Sequence, residues 1–393
     1  MSKKSSSQFM EIKPAIETFA KIKVVGVGGS GGSALSRMMD AGLRGVDFVA
    51  INTDAQALQQ NPSPIKIHIG KQTTRGLGAG MNPELGLKAS EESSEEIHQA
   101  LLGSDMVFIT CGLGGGTGSG AGPDVARVAK EVGALTVAIV TKPFSFEGEQ
   151  RRTIADQALN KMMEHVDTII TIPNDRLLQV IDKKTSLLDA FKVVDEVLKQ
   201  GVQGISEIIT IPGLINVDFA DVKAVMADSG SALMGIGTAT GENRAIEAAK
   251  AAVDSPLLEM SIEGAKGILF TIAGGPNLGM YEVNEAARVI TESADPNAKI
   301  IFGSIIDEAL GDAVKITVVA TGFGNVRSKK VKAATNPFRD VTSSSNLADS
   351  AVSDAGMTPI RSQPRPVASA VKDDQSKEDS DLEIPAFIRK KMM

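Results

Sequence analysis

A chain of 393 residues is long enough for two domains, or for one large domain with a tail. Its hydrophobic fraction of 42% supplies packed cores, and its net charge of −7 leaves no basic footprint for nucleic acid. One cysteine, Cys111, excludes an intrachain disulfide and fits a cytosolic home; with no Trp and one Tyr, the stacking platforms of single-strand nucleic-acid binders are missing as well.

Residues 1–20 read as a mobile arm; the polar stretch 1–14 has no apolar core of a secretory signal, and no run approaches the ~20 apolar residues of a membrane span. The first predicted strand, 22–27, runs into Gly28-Gly-Ser-Gly-Gly-Ser33 and a helix over 34–41. Gly26, Gly28 and Gly31 match G-x-G-x-x-G at a strand-to-helix turn, the fingerprint of a dinucleotide site, although a tight turn without ligand has the same pattern. A second strand, 46–51, ends at Asn52-Thr-Asp54, where Asp54 suits a ribose-binding acid, a helix cap or a group near a phosphate-bound metal. A third strand at 65–69 puts His68 on its polar face, solvated or structural.

A further glycine-rich loop, Arg75-Gly-Leu-Gly-Ala-Gly-Met-Asn-Pro-Glu84, leads into a helix to about 102, with Asn82 as its cap and Pro83 in its first position. Glu91, Glu92, Glu95 and Glu96 give that helix an acidic outer face, read as solvated. The apolar run 105–111 then predicts a buried parallel strand, with Cys111 as a small core residue. It opens into Gly112-Leu-Gly-Gly-Gly-Thr-Gly-Ser-Gly120 and a helix over 121–131 with Pro123 in its first turn. Glycines there let the backbone approach a ligand, and amides backed by a helix N-terminus form a nest for phosphate.

Strands at 135–140 and 168–172 flank a helix at 149–166. This alternation is a doubly wound parallel sheet, and three glycine-rich loops on one edge suit a polyphosphate. A helix over 187–209 keeps its apolar stripe for six turns and joins the nucleotide domain to the next; Gly201 and Gly204 inside it predict close packing. After it, Asp218 and Asp221 share one face of a helix start, where Asp commonly caps. Strands at 232–239, 267–273, 299–305 and 314–320, with helices at 242–253 and 282–291, predict a small mixed sheet. From 328 a Ser-, Asp-, Lys- and Pro-rich stretch lacks apolar periodicity and reads as a disordered tether. It ends in Asp381-Leu-Glu-Ile-Pro-Ala-Phe-Ile-Arg-Lys-Lys391, an apolar docking peptide by its pattern.

Taken together these residues resemble FtsZ, the prokaryotic tubulin-like cell-division GTPase. The likeness rests on Gly114-Gly-Gly-Thr-Gly-Ser-Gly120, on Asn216-Val-Asp-Phe-Ala-Asp221 and on the terminal peptide, and covers about 22–323. It implies a tubulin/FtsZ-like α/β fold: a flexible arm (1–20), a Rossmann-type parallel-sheet GTP-binding domain (21–185), a long central helix (186–210), a smaller α+β C-terminal domain for activation and polymerisation (211–327), a disordered linker (328–378) and a docking peptide (379–393). It implies GTP as substrate, GDP as product and Mg²⁺ as companion. Gly29, Ser30, Gly31, Gly32 and Ser33, with Gly116, Thr117 and Gly118, would hold phosphates, and Ala79 and Gly80 would lie near the γ-phosphate. Glu147 and Arg151 match ribose contacts, Asn174 and Asp195 the guanine readers, and Phe191 the residue that packs on the base.

The resemblance also makes Asn216, Asp218 and Asp221 catalytic toward the nucleotide of the next subunit in a head-to-tail filament. Membrane-anchor and regulatory division proteins would bind the terminal peptide, the ring would sit in the cytoplasm at mid-cell, and there would be no direct nucleic-acid binding and no direct membrane insertion. Three positions depart from the family pattern: Ser30 stands for Gly, Ser33 for an Asn that reaches toward base or sugar, and Ser119 for Thr. Two other readings stay open from the residues themselves. One is a nicotinamide-dependent oxidoreductase using Gly26, Gly28 and Gly31; the other is a tubulin-like DNA-partition filament or a GTP-binding regulator without turnover.

Overall fold

The computed structural model describes residues 20–323 apart from 180, 182–183, 212 and 256–260. The expected N-terminal arm up to residue 19, the linker and the docking peptide lie outside the described residues.

In chain order the elements are β1 (Ile22–Val27), α1 (Gly28–Asp40), β2 (Asp47–Asn52), α2 (Ala55–Gln60), β3 (Ile65–His68), α3 (Pro83–Glu92), α4 (Ser94–Leu101), β4 (Met106–Gly112), α5 (Thr117–Glu131), β5 (Leu135–Lys142), α6 (Glu149–Met163), β6 (Thr168–Pro173), α7 (Asn174–Leu177) and α8 (Leu187–Thr210). There follow α9 (Phe219–Met226), β7 (Gly230–Ala239), α10 (Arg244–Val253), β8 (Gly267–Gly274), α11 (Met280–Glu292), β9 (Lys299–Ile306) and β10 (Val314–Thr321). Strands pair in the order β3-β2-β1-β4-β5-β6-β7-β10-β8-β9. The first six are all parallel and doubly wound, so the order reverses between β1 and β4. Ligands of such sheets bind outside the carboxyl ends at that switch point, where the loops after β1 and β4 meet.

Pleat alternation explains why β4 reads as one apolar run. Met106 and Phe108 join a core with α1 and α8, while Val107, Ile109 and Cys111 join a second core with α4, α5 and α6. A third core lies under α10 and α11. The smaller sheet is mixed, as expected. It is also continuous with the first, because β7 pairs with β6 through Thr168–Gly230, Ile169–Ser231 and Ile170–Ala232. Gly201 packs 3.1 Å from the Met234 sulfur and Gly204 2.7 Å from Thr317 Cγ2, measured from where a Cβ would sit, so α8 lies tight on both parts.

Several sequence expectations shift. Helix α1 begins at Gly28 and not at 34, and α5 begins at Thr117 and not at 121. Pro123 therefore sits in the interior of α5, where its missing N–H leaves the Ser119 carbonyl without its helical donor. The helix expected up to 102 breaks at Ser93, which leaves helical geometry (φ −111°, ψ 19°), and restarts as α4. Its acidic face is more than a solvated surface. Glu92 accepts from the Gln72 and Thr73 amides at 2.9 and 3.1 Å and from the Thr73 hydroxyl at 2.8 Å, and these bonds hold its carboxyl below the usual range. Glu96 pairs with Lys71 at 2.8 Å. The His68 Nε2 is buried, against the expectation of a solvated ring, and has no hydrogen-bond partner among the described residues. Asp54 is the N-cap of α2, its Oδ1 accepting from the Gln56 and Ala57 amides.

Burial pushes the Cys111 thiol up to about 12. The folded protein should therefore resist a thiol reagent at pH 8 and react only once unfolded. Rapid labelling under native conditions would show that the end of β4 opens.

Candidate active site

A cleft of about 320 Å³ opens at the switch point, within the size range of small-molecule sites. Gly28, Gly29 and Ser30 line it from α1, and Gly112, Leu113, Gly115, Gly116, Thr117 and Gly118 from the end of β4 and the start of α5. Two helix N-termini converge there, since a Cβ on Gly28 would lie 3.2 Å from the Gly118 nitrogen. Their first-turn amides have no intrahelical acceptor and favour an anion. Gly28 (φ +76°) and Gly114 (φ +98°) hold backbone that other residues rarely adopt. Ser119 fixes the turn from within: its hydroxyl accepts from the Gly114 amide at 2.9 Å. Thr117 Oγ1 lies 2.6 Å from Thr53 Oγ1, a partner at the end of β2 that sequence reading missed.

The far wall is built from the end of β5 and the loop after it, α6, the start of α7, and α8. Glu147 and Arg151 pair at 2.7 Å and both line the cleft. Among the described residues Arg151 is the cleft's only cationic lining side chain, so a phosphate bound here rests mainly on backbone amides. Phe191, 40% exposed, is braced edge-on by Phe144 with ring centroids 5.7 Å apart, and offers a face for a planar base. Asn174 is buried, and its Oδ1 has no hydrogen-bond partner among the described residues. Asp195, 8% exposed, takes a hydrogen bond from Arg37 Nε at 2.7 Å. Burial pushes its carboxyl up, and the Arg37 guanidinium works against that.

Two family models match the chain: the Tubulin/FtsZ family GTPase domain over residues 21–182 and the FtsZ family C-terminal domain over 230–324. A solved FtsZ dimer from M. jannaschii is 50% identical, with a TM-score of 0.75, covering 78% of this chain and 89% of that one. The chain belongs to the FtsZ family. It is a GTPase, and the nicotinamide reading of its first turn is set aside. A tryptophan-to-tyrosine mutant of M. jannaschii FtsZ matches at the same identity and TM-score, covering 78% and 92%. CetZ2 from Haloferax volcanii, solved as a GTPγS-bound protofilament, shares the fold at 24% identity and a TM-score of 0.66, covering 76% and 92%.

Set against the FtsZ pattern, the expected site residues fall into three groups. Gly29, Ser30, Gly116, Thr117, Gly118, Glu147, Arg151, Asn174, Phe191 and Asp195 line one cleft. Five others stand beside it. Gly31 is buried against the Thr110 carbonyl, Gly32 and Ser33 line a neighbouring cavity of about 270 Å³ with Ser36 and Asn61, and Ala79, followed by Gly80, packs against Gly116. Ser30, one of the departures, stands over Gly112 at the cleft wall.

Asn216, Asp218 and Asp221 form the third group and lie outside the cleft. Helix α8 begins near the cleft, and its 24 residues run ~36 Å. Its far end packs at the opposite edge of the sheet, where a Cβ on Gly45, in the turn before β2, would sit 2.6 Å from Thr210 Cβ. Asn216 Oδ1 accepts from the Gly213 amide at 2.7 Å, and Asp218 caps α9 by accepting from the Asp221 amide at 2.8 Å. All three side chains are exposed, and the Asp221 carboxylate makes no hydrogen bond among the described residues.

Proposed function

We propose that this GTPase assembles head to tail into filaments of the division ring at the septum, with each hydrolytic site completed by the next subunit. One observation carries the reading. Phe191 and Asp195 sit at the cleft end of α8, while Asn216, Asp218 and Asp221 follow its other end and cannot reach their own subunit's cleft. A site split between opposite ends of one chain makes a heterologous interface, which grows open filaments. The FtsZ relative solved as a dimer supports self-association.

In this reading residues 21–185 bind the nucleotide and 211–327 serve activation and polymerisation, with α8 between them. Amides of Gly29, Ser30 and the Gly116–Gly118 turn hold the phosphates, with Gly31, Gly32 and Ser33 shaping the first turn of α1 and Ala79 and Gly80 closing from the side. Glu147 and Arg151 meet the ribose. Asn174 and Asp195 read guanine, and Phe191 packs on it. A carboxylate that accepts from N1–H and N2–H₂ discriminates against adenine. Asn216, Asp218 and Asp221 of the neighbour orient the water that attacks the γ-phosphorus as its bond to the bridging oxygen breaks; carboxylates at ordinary pKa position that water better than they deprotonate it.

Among the described residues no three His, Cys, Asp or Glu gather into a metal cluster. Mg²⁺ would be held through the substrate's phosphates and water, where it would neutralise phosphate charge. No described helix is long and apolar enough to cross a membrane. The peptide from Asp381 to Lys391 is assigned to membrane-anchor and regulatory division proteins, with the ring in the cytoplasm at mid-cell.

Phosphate release from GTP, measured against protein concentration with Mg²⁺, tests the shared site. Activity per molecule should stay near zero up to a threshold and then rise. Constant activity per molecule would mean a self-contained GTPase, and no turnover at any concentration would mean a regulatory relative.

A further inference from the structure

We infer that Arg37 is a positioning residue for base selection, acting through Asp195 and never touching the nucleotide. The inference rests on the reading of Asp195 as the guanine acceptor. Arg37 lies in the last turn of α1, does not line the cleft, and reaches α8 with its Nε 2.7 Å from Asp195 Oδ2. Asp195 does line the cleft, and its Oδ1 takes no hydrogen bond among the described residues. The guanidinium thus holds one carboxylate oxygen of a cleft-lining residue and leaves the other without a hydrogen bond among the described residues.

Two consequences follow from this geometry. A carboxylate held at one oxygen has a set orientation, and a donor pair on a purine edge needs that orientation. The ion pair also favours the ionised form of the acid where burial works against charge. A protonated Asp195 would keep its carbonyl oxygen as an acceptor but turn the other oxygen into an O–H, and so could no longer accept from both N1–H and N2–H₂. The bland alternative is a helix-end arginine that complements the α1 dipole and ties α1 to α8. That role would change stability but not base preference.

Charged groups around the cleft do not replace Arg37. Glu147 and Arg151 pair with each other across the wall. On α8 itself, Lys192 bonds Asp189 at 2.8 Å and Lys199 bonds Glu196 at 2.7 Å. Arg37 alone is charged and in direct contact with Asp195 among the described residues.

The sign of the pH effect is set by these opposing influences. Removing Arg37 removes what pulls the Asp195 pKa down, so the acid in the variant protonates at higher pH than in the parent. Guanine binding in the variant then weakens at a higher pH on acidification than it does in the parent.

The test measures binding of GTP and of ITP, which lacks the 2-amino group, to the full chain at pH 8 and pH 6. Arg37→Met and Arg37→Lys are compared with the parent and with Asp195→Asn. Arg37→Met should lose roughly ten- to a hundredfold in GTP affinity, shrink the preference for GTP over ITP toward parity, and lose more at pH 6 than the parent does. Arg37→Lys should recover part of the affinity and of the acid tolerance, as a charge without the planar fork. A parent-like GTP/ITP ratio and pH profile in Arg37→Met overturns the inference while Asp195→Asn alters the ratio. If Asp195→Asn also leaves the ratio unchanged, the guanine reading of Asp195 fails and this inference with it. Should Arg37→Met not fold, the pH profile of Arg37→Lys against the parent decides: an identical profile and ratio overturn the inference.

Discussion

Replacing Asp221 by alanine should lower GTP turnover roughly 10²-fold or more while GTP affinity stays unchanged. The carboxylate is exposed, makes no hydrogen bond among the described residues, and follows the far end of a helix ~36 Å long whose beginning forms the cleft. Sites that far apart with no shared partner are energetically independent within one subunit. Asp218 is the less informative position, because it caps α9 and its loss costs about 1 kcal/mol of helix stability in addition to any catalytic effect. A mixing experiment sharpens the prediction. Wild-type protein held below its activity threshold should gain turnover when Asp221→Ala protein, inert alone, is added. The variant's intact clefts would then be served by wild-type loops. If affinity falls together with turnover, or if mixing adds nothing, Asp221 acts in its own subunit and the shared site is wrong.

The elements that read clearly from sequence are those whose period or punctuation is local. The strand over 22–27, the cap and proline at Asn82 and Pro83, and the six-turn stripe of α8 all stand where pattern put them, and the strand read at 105–111 is shifted by one residue to 106–112. What sequence missed is tertiary. Glycine has poor helix propensity, so nothing local announces that α1 and α5 start inside glycine runs; packing of those turns against each other overrides propensity. The break at Ser93 interrupts no periodicity. That β7 extends the first sheet depends on a three-residue ladder to β6, which spacing cannot reveal. Within the site, the glycine turns were legible as a phosphate nest from residue chemistry alone. The far wall came through resemblance. Arg37 was invisible in both ways, since it meets its partner 158 positions later through the packing of α1 on α8.

Gly120→Ala should be the most damaging single methyl in the nucleotide domain, because there the fold and the site share one contact. A Cβ at this position would stand 2.0 Å from the Pro83 carbonyl oxygen, 2.7 Å from the Leu87 nitrogen and 2.9 Å from Gly86 Cα. All three obstacles are α3 backbone, so no rotamer change relieves them and the helix itself must move. The contact is reciprocal, since a Cβ on Gly86 would stand 2.4 Å from the Gly116 oxygen. Overpacking of this kind costs about 3 kcal/mol, read as a lower midpoint in denaturant. Displacing α3 also drags the loop before it, where Ala79 packs on Gly116. GTP affinity should therefore fall with stability. Gly29→Ala is the contrasting variant. A Cβ there meets nothing within 4 Å, and Gly29 lines the cleft. Its stability should stay within about 1 kcal/mol of the parent, while nucleotide binding weakens through loss of close backbone approach. If Gly120→Ala unfolds at the parent's midpoint and binds GTP normally, α3 is not seated on α5 as described, and the Ala79–Gly80 loop is not held against the signature turn by this packing.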